Sequence, residues 1–266
     1  MALMHVNFFS EVLGMSMNMD VILPQRTRGQ IGMDGERRDG KYPVLYLLHG
    51  MSDDHTIWQR RTSIERYASE LGIAVVMPAV HLSFYSDMKY GLDYWTFVSR
   101  ELPEICRDFF PNMSMRREDT FAAGLSMGGY GALKLGLLAP ETFGAVASLS
   151  GALDMASGLR DNTIPNHRNL FGLIFGSADE MEHSDNDLMA AAKRLKESGK
   201  PLPKIYIWCG TEDFLYQQNK TAKELLTGLG YDITYEESAG DHQWCYWDEK
   251  IRTVLKWLPL KEDGEA

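Results

Sequence analysis

The pentapeptide Gly124-Leu125-Ser126-Met127-Gly128 constrains this chain more than any other stretch. In the pattern Gly-x-Ser-x-Gly the serine occupies a sharp strand-to-helix turn, and each glycine stands where a Cβ would collide across the bend. Such a turn presents the Ser126 hydroxyl to solvent. The flanks agree: Asp119 to Ala123 reads as a short buried strand, and Tyr130 to Leu138 as an apolar helix stopped by Pro140. By itself the pattern is only moderately informative, because a glycine-rich turn with an idle serine also fits it. With a strand before it and a helix after it, it becomes an elbow that presents a nucleophile.

Composition sets the outer limits. A chain of 266 residues with 44% apolar content can fill one large core, which suits a single α/β domain with an insertion. A net charge of −10 argues against a nucleic-acid surface, since the basic runs are short pairs such as Arg37-Arg38, Arg60-Arg61 and Arg116-Arg117. The start, Met1 to Phe9, has no basic region followed by a long apolar stretch, and no run of 18 apolar residues occurs anywhere. Neither a secretion signal nor a membrane contact is expected. Cys106, Cys209 and Cys245 form no Cys-x-x-Cys pair and read as reduced thiols in a cytoplasm, with no metal and no cofactor.

Val6 to Glu11 and Ser16 to Leu23 alternate loosely around Leu13-Gly14-Met15, as an antiparallel pair at a sheet edge would. Gln25 to Lys41 reads as an exposed loop. Tyr42 to Leu48 is a continuous apolar run, the mark of a strand covered on both faces, and it stops at His49-Gly50-Met51. In a serine hydrolase of this architecture one oxyanion donor comes from the loop after this strand and the other from the residue after the nucleophile. The donors are therefore the Met51 and Met127 amides, with His49 as a brace for the loop. Asp53, Asp54 and His55 read as a solvated loop rather than a metal site. Downstream, Thr62 to Leu71 reads as a helix, Ile73 to Met77 as a strand, and Asp93 to Phe110 as a helix.

Ala145 to Leu149, Lys204 to Cys209 and Ile233 to Glu237 are three further strands, and Tyr216 to Leu229 and Cys245 to Leu258 are helices. Asp154 to Lys200 is long and mixed, helical near Asp187 to Glu197, and reads as a cap bordering the cleft. Lys261 to Ala266 reads as a frayed tail. The chain order nucleophile, acid, histidine places the acid just past a strand after Ser126. Asp213 meets that condition; Glu212 and Asp154 are weaker candidates. Of the seven histidines only His242 follows Asp213, so order alone selects it. Trp58, Tyr85, Tyr94 and Trp244 are candidates for a substrate pocket, although aromatic residues of this kind serve a core, or a contact in a homo-oligomer, as readily.

The chain resembles the tributyrin esterase group among the esterase D and feruloyl or acetyl-xylan esterase relatives of carbohydrate esterase family 1. The likeness rests on Pro43 to Ser52, Gly124 to Gly131, Trp208-Cys209-Gly210 with Asp213 to Tyr216, and Ala239 to Trp244. It implies an α/β-hydrolase fold: a mostly parallel central sheet with helices on both faces. It also implies a metal-independent carboxylesterase for short acyl esters, with acetylated or feruloylated sugar esters among the substrates of relatives. Matching motifs give Ser126, Asp213 and His242 as the triad and Met51 and Met127 as the oxyanion donors. An S-formylglutathione hydrolase or an acyltransferase would use the same acyl-enzyme, and a non-catalytic scaffold is the alternative from another class.

Overall fold

The computed structural model describes residues 1–38, 40–161 and 168–260. Its centre is an eight-stranded sheet built from β1 (Ala2–Ser10), β2 (Met15–Leu23), β3 (Val44–Leu48), β4 (Ala74–Pro78), β5 (Thr120–Leu125), β6 (Ala145–Leu149), β7 (Lys204–Gly210) and β8 (Ile233–Ser238). In space the order is β1-β2-β4-β3-β5-β6-β7-β8. β1 pairs antiparallel with β2, and β2 with β4; the remaining pairs are parallel. The N-terminal hairpin is thus the antiparallel edge of an otherwise parallel sheet.

The helices are α1 (Ile57–Arg61), α2 (Ile64–Ser69), α3 (Tyr94–Thr96), α4 (Leu102–Phe109), α5 (Met127–Leu138), α6 (Met155–Arg160), α7 (Arg168–Phe175), α8 (Ala178–Met181), α9 (Leu188–Ser198), α10 (Tyr216–Gly228) and α11 (Trp244–Trp257). α3 and α4 are joined by a π-helical turn, Phe97–Glu101, so the expected single helix runs on with one wider turn inside it. α1 lies between the expected loop at Asp53 to His55 and the expected helix from Thr62, on residues to which the sequence assigned no element.

Alternation within each strand divides the core. On β3, Val44, Tyr46 and Leu48 enter the apolar layer that includes Leu102 and Cys106 of α4, Tyr130 and Leu133 of α5 and Ala222 of α10. Leu45 and Leu47 enter the opposite layer, with Ile57 of α1, Ile64 of α2 and Ile251 of α11. Both faces are therefore covered, which is why the central strands read as unbroken apolar runs. The segment between β6 and β7 carries α6 to α9, and some of that expected cap lies outside the described residues, as does the expected tail at 261–266. Among the described residues no helix is long and apolar enough to cross a membrane.

Ser126 joins β5 to α5 with φ 53° and ψ −118°. The flanking glycines are demanded by backbone, not by side chains. A Cβ on Gly124 would lie 2.4 Å from the Gly128 carbonyl, and one on Gly128 would lie 2.4 Å from the Leu48 oxygen and 2.7 Å from that of His49. Gly128→Ala must therefore push the start of α5 away from the end of β3. It should cost about 1–3 kcal/mol of folding free energy. Calorimetry should read this as a fall of roughly 2–4 °C in thermal midpoint per kcal/mol, and an unchanged midpoint would contradict the packing.

Candidate active site

All five positions that the sequence nominates for chemistry follow the C-terminal ends of parallel strands, the edge where open α/β sheets bind ligands. Met51 follows β3, Ser126 and Met127 follow β5, Asp213 follows β7 and His242 follows β8. Ser126 is half-buried, its backbone N–H donating to the Leu149 carbonyl at 2.9 Å. As the first residue of α5, Met127 has an N–H with no carbonyl four residues back inside the helix.

The loop after β3 comes up against the elbow. A Cβ on Gly50 would stand 3.8 Å from Ser126 Cβ, so the Gly50-Met51 backbone runs alongside the nucleophile candidate. Three side chains hold this loop by its carbonyls. Trp58 Nε1–H donates to the Leu48 oxygen at 3.0 Å, and the Tyr85 hydroxyl to that of His49 at 2.9 Å. His49 Nδ1–H donates to the Gly50 oxygen at 2.7 Å, and its Nε2 accepts from the Val80 N–H at 3.1 Å. Burial pushes the His49 pKa down to about 4, so its imidazole is neutral. The expectation that His49 braces the loop agrees with this arrangement.

Asp213 and His242 meet past the ends of β7 and β8. His242 Nδ1–H donates to Asp213 Oδ2 at 2.8 Å, which leaves Nε2 as the basic nitrogen. Asp213 Oδ1 accepts from the Leu215 N–H at 2.9 Å, and its carboxylate is fully enclosed while the His242 ring keeps 21% exposure. Two rings flank that imidazole: Phe214 with centroids 4.6 Å apart and Trp247 at 4.8 Å. The loop carrying His242 rests on the end of β7, because a Cβ on Gly210 would fall 2.1 Å from the Gly240 oxygen. Glu212 accepts from the Gly240 N–H and Asp154 caps α6 through the Ser157 N–H, so both weaker acid candidates already have structural partners.

The substrate-pocket expectations need correction. Trp58 is 1% exposed and Tyr85 is 0% exposed, both spent on loop carbonyls, and neither presents a face to a cleft. Tyr94 is also buried, its hydroxyl 3.0 Å from His81 Nδ1. Trp244 remains partly exposed and stacks edge-on between Trp58 and Trp247. The ring that the sequence reading missed is Phe214, 63% exposed and directly against His242. Its position next to the acid was the available signal. Asp54 Oδ1 is taken by the Thr56 N–H and hydroxyl, and among the described residues no group of three or more His, Cys, Asp or Glu could hold a metal ion.

A half-buried serine on a strained elbow, the Gly50-Met51 loop beside it and an Asp-His pair at neighbouring strand ends fit a hydrolase of the α/β-hydrolase fold. The family model for esterases, described as "Putative esterase", matches residues 10–258, and the chain belongs to that family of carboxylic ester hydrolases. An acetyl esterase from Caldicellulosiruptor saccharolyticus is 34% identical over 99% of this chain and 100% of its own. Among solved structures, the fluorophosphonate-binding serine hydrolase F of Staphylococcus aureus, substrate bound, superposes with a TM-score of 0.86 at 33% identity, covering 98% of this chain and 99% of that one. The S-formylglutathione hydrolase of Staphylococcus aureus gives 0.83 at 34% identity, covering 97% and 98%.

Two measurements separate these roles. Asp213→Asn should reduce kcat by about 10⁴-fold by removing the acceptor that fixes the His242 tautomer, whereas Glu212→Gln should leave the same assay within about tenfold because only a loop contact is lost. Equal losses would contradict the assignment. For His49, neutral and imidazolium forms differ in stability. Above pH 6.5 it is neutral whether folded or not; below that the unfolded chain takes up the proton first, so stability falls as pH drops toward 4. This removes up to about 3 kcal/mol. Denaturant titrations at pH 7 and 4.5 should show a smaller loss in His49→Gln than in the wild type.

Proposed function

We propose that Ser126, His242 and Asp213 form the catalytic triad of a serine carboxylesterase for short acyl esters. The observation that carries this is the 2.8 Å contact between His242 Nδ1 and Asp213, made past the same edge of the parallel sheet on which the Ser126 elbow lies. A serine hydroxyl is a weak nucleophile at neutral pH, so His242 Nε2 accepts its proton as Oγ attacks the ester carbonyl. The Met51 and Met127 amides donate to the tetrahedral oxyanion. His242 then protonates the departing alcohol, and water, deprotonated in turn by His242, releases the acid from Ser126.

Acetyl and butyryl esters are the proposed substrates, with acetylated or feruloylated sugar esters as wider members of the class. The acetyl esterase relative supports the acyl side of this reading. On the alcohol side, the exposed Phe214 ring beside His242 offers an apolar wall where the leaving group departs. A second reading, hydrolysis of S-formylglutathione, is favoured by the similarity to the Staphylococcus aureus enzyme of that name. We further place the chain in the cytoplasm, since Cys106, Cys209 and Cys245 are all free thiols.

The test is a hydrolysis panel of p-nitrophenyl acetate, butyrate and octanoate, methyl ferulate, acetylated xylo-oligosaccharide and S-formylglutathione. Acetate and butyrate should lead the panel, and Ser126→Ala should lower their turnover at least about a thousandfold while circular dichroism stays unchanged. Fast turnover of S-formylglutathione beside slow ester cleavage would favour the second reading. Retained activity in Ser126→Ala would overturn both.

A further inference from the structure

Lys134 lies on α5, eight residues beyond Ser126, and is 1% exposed. A buried lysine is uncommon unless paired with a carboxylate, and the partners of this one are neutral. Its Nζ donates to the Tyr85 carbonyl at 3.2 Å, to Ser86 Oγ at 2.9 Å and to Asn186 Oδ1 at 2.6 Å. Three N–H groups of an ammonium thus meet three oxygens. The same nitrogen stands 5.0 Å from the Trp95 ring centroid and 5.7 Å from that of Tyr130, which supply cation–π attraction in place of a counterion. Asp87 and Asp185 favour the charge from further off, yet burial dominates and pushes the amine down to about pKa 7.

What Lys134 holds is the segment that braces the oxyanion loop. Phe84 and Tyr85 have φ of 52° and 51°, left-handed backbone that side-chain-bearing residues rarely adopt and that persists only when its surroundings over-determine it. α5 supplies that constraint twice on one face. Gly131 leaves room for the Tyr85 ring, since a Cβ there would lie 2.5 Å from its carbons, and Lys134, one turn on, grips the Tyr85 carbonyl. From this fixed backbone the Tyr85 hydroxyl reaches the His49 oxygen at the root of the loop that carries Met51. The bond to Asn186 adds the segment between β6 and β7 to the same point, and the Tyr130 hydroxyl donates to the Asn186 carbonyl at 2.8 Å.

We propose that Lys134 is a positioning residue of the ester-hydrolysis reaction: acting through Tyr85, it fixes the Gly50-Met51 loop so that the Met51 amide meets the oxyanion. The proposal rests on the reading of Ser126 as nucleophile and Met51 as oxyanion donor. Lys134 touches no reacting atom. Its effect belongs to the tetrahedral stage, where the donors are needed, and not to ground-state binding.

A double-variant cycle tests this with Lys134→Met, Tyr85→Phe and the pair, assayed with p-nitrophenyl acetate and with a fluorophosphonate, whose phosphoryl oxygen takes the oxyanion position. Each single variant should lower kcat about tenfold or more, with KM within about twofold, and slow fluorophosphonate labelling by a similar factor. The pair should be no slower than the worse single variant, because both act through one link. Three results would overturn the proposal: kcat and labelling rate that stay within twofold while only the thermal midpoint falls, losses that multiply in the pair, or a Tyr85→Phe variant of wild-type activity. The last stands even if Lys134→Met fails to fold. A wild-type protein that neither turns over the ester nor takes the label would remove the underlying reading itself, whereas an active wild type with unaffected variants would remove this proposal alone.

Discussion

The approach of the Gly128 backbone to the carbonyls of Leu48 and His49 is the contact on which the rest of the site depends. No side chain fits between the start of α5 and the end of β3, so the first turn of the helix and the strand end lie at backbone distance. That closeness places the Gly50-Met51 loop beside Ser126. It is also why a dihedral as unfavourable as φ 53° at Ser126 persists, since neither strand can move away without breaking the sheet on both sides.

Bringing carbonyls this close to a helix start creates a polar problem, and the molecule answers it with side chains drawn from three places. Trp58 from α1, Tyr85 from the segment after β4 and His49 from the loop itself satisfy the oxygens of Leu48, His49 and Gly50. Each donor is buried, so leaving any of these oxygens unpaired would cost about 1–3 kcal/mol. A second strand end uses the same device. Gly210 lets the end of β7 touch Gly240, and Glu212 accepts from the Gly240 N–H, so the acid and the histidine are held by backbone contact as well as by their own hydrogen bond.

The inner parallel strands were legible because burial on both faces writes an unbroken apolar run, and β6 falls on the residues that the sequence indicates. The elbow was legible because only glycine satisfies its two close contacts. Less was visible where identity depends on direction. Trp58 and Tyr85 look from sequence like pocket aromatics, but a ring's polar handle can turn toward backbone or toward solvent, and only the fold decides. Phe214 escaped notice for the opposite reason: a residue after a catalytic candidate reads as loop until its ring is found on His242. Lys134 sits in an apolar helix stretch, where a lone lysine reads as surface, and its burial is set by oxygens from residues 85, 86 and 186 that no local pattern connects.

The central claim is that Ser126 is made nucleophilic by the His242-Asp213 pair. Its most direct test is to react the protein with a fluorophosphonate and map the adduct by peptide mass spectrometry, in the wild type and in His242→Ala. The account predicts one phosphonylated site, at Ser126, whose formation slows at least about a thousandfold without the imidazole. An adduct on another serine, or equal labelling rates in the two proteins, would contradict it.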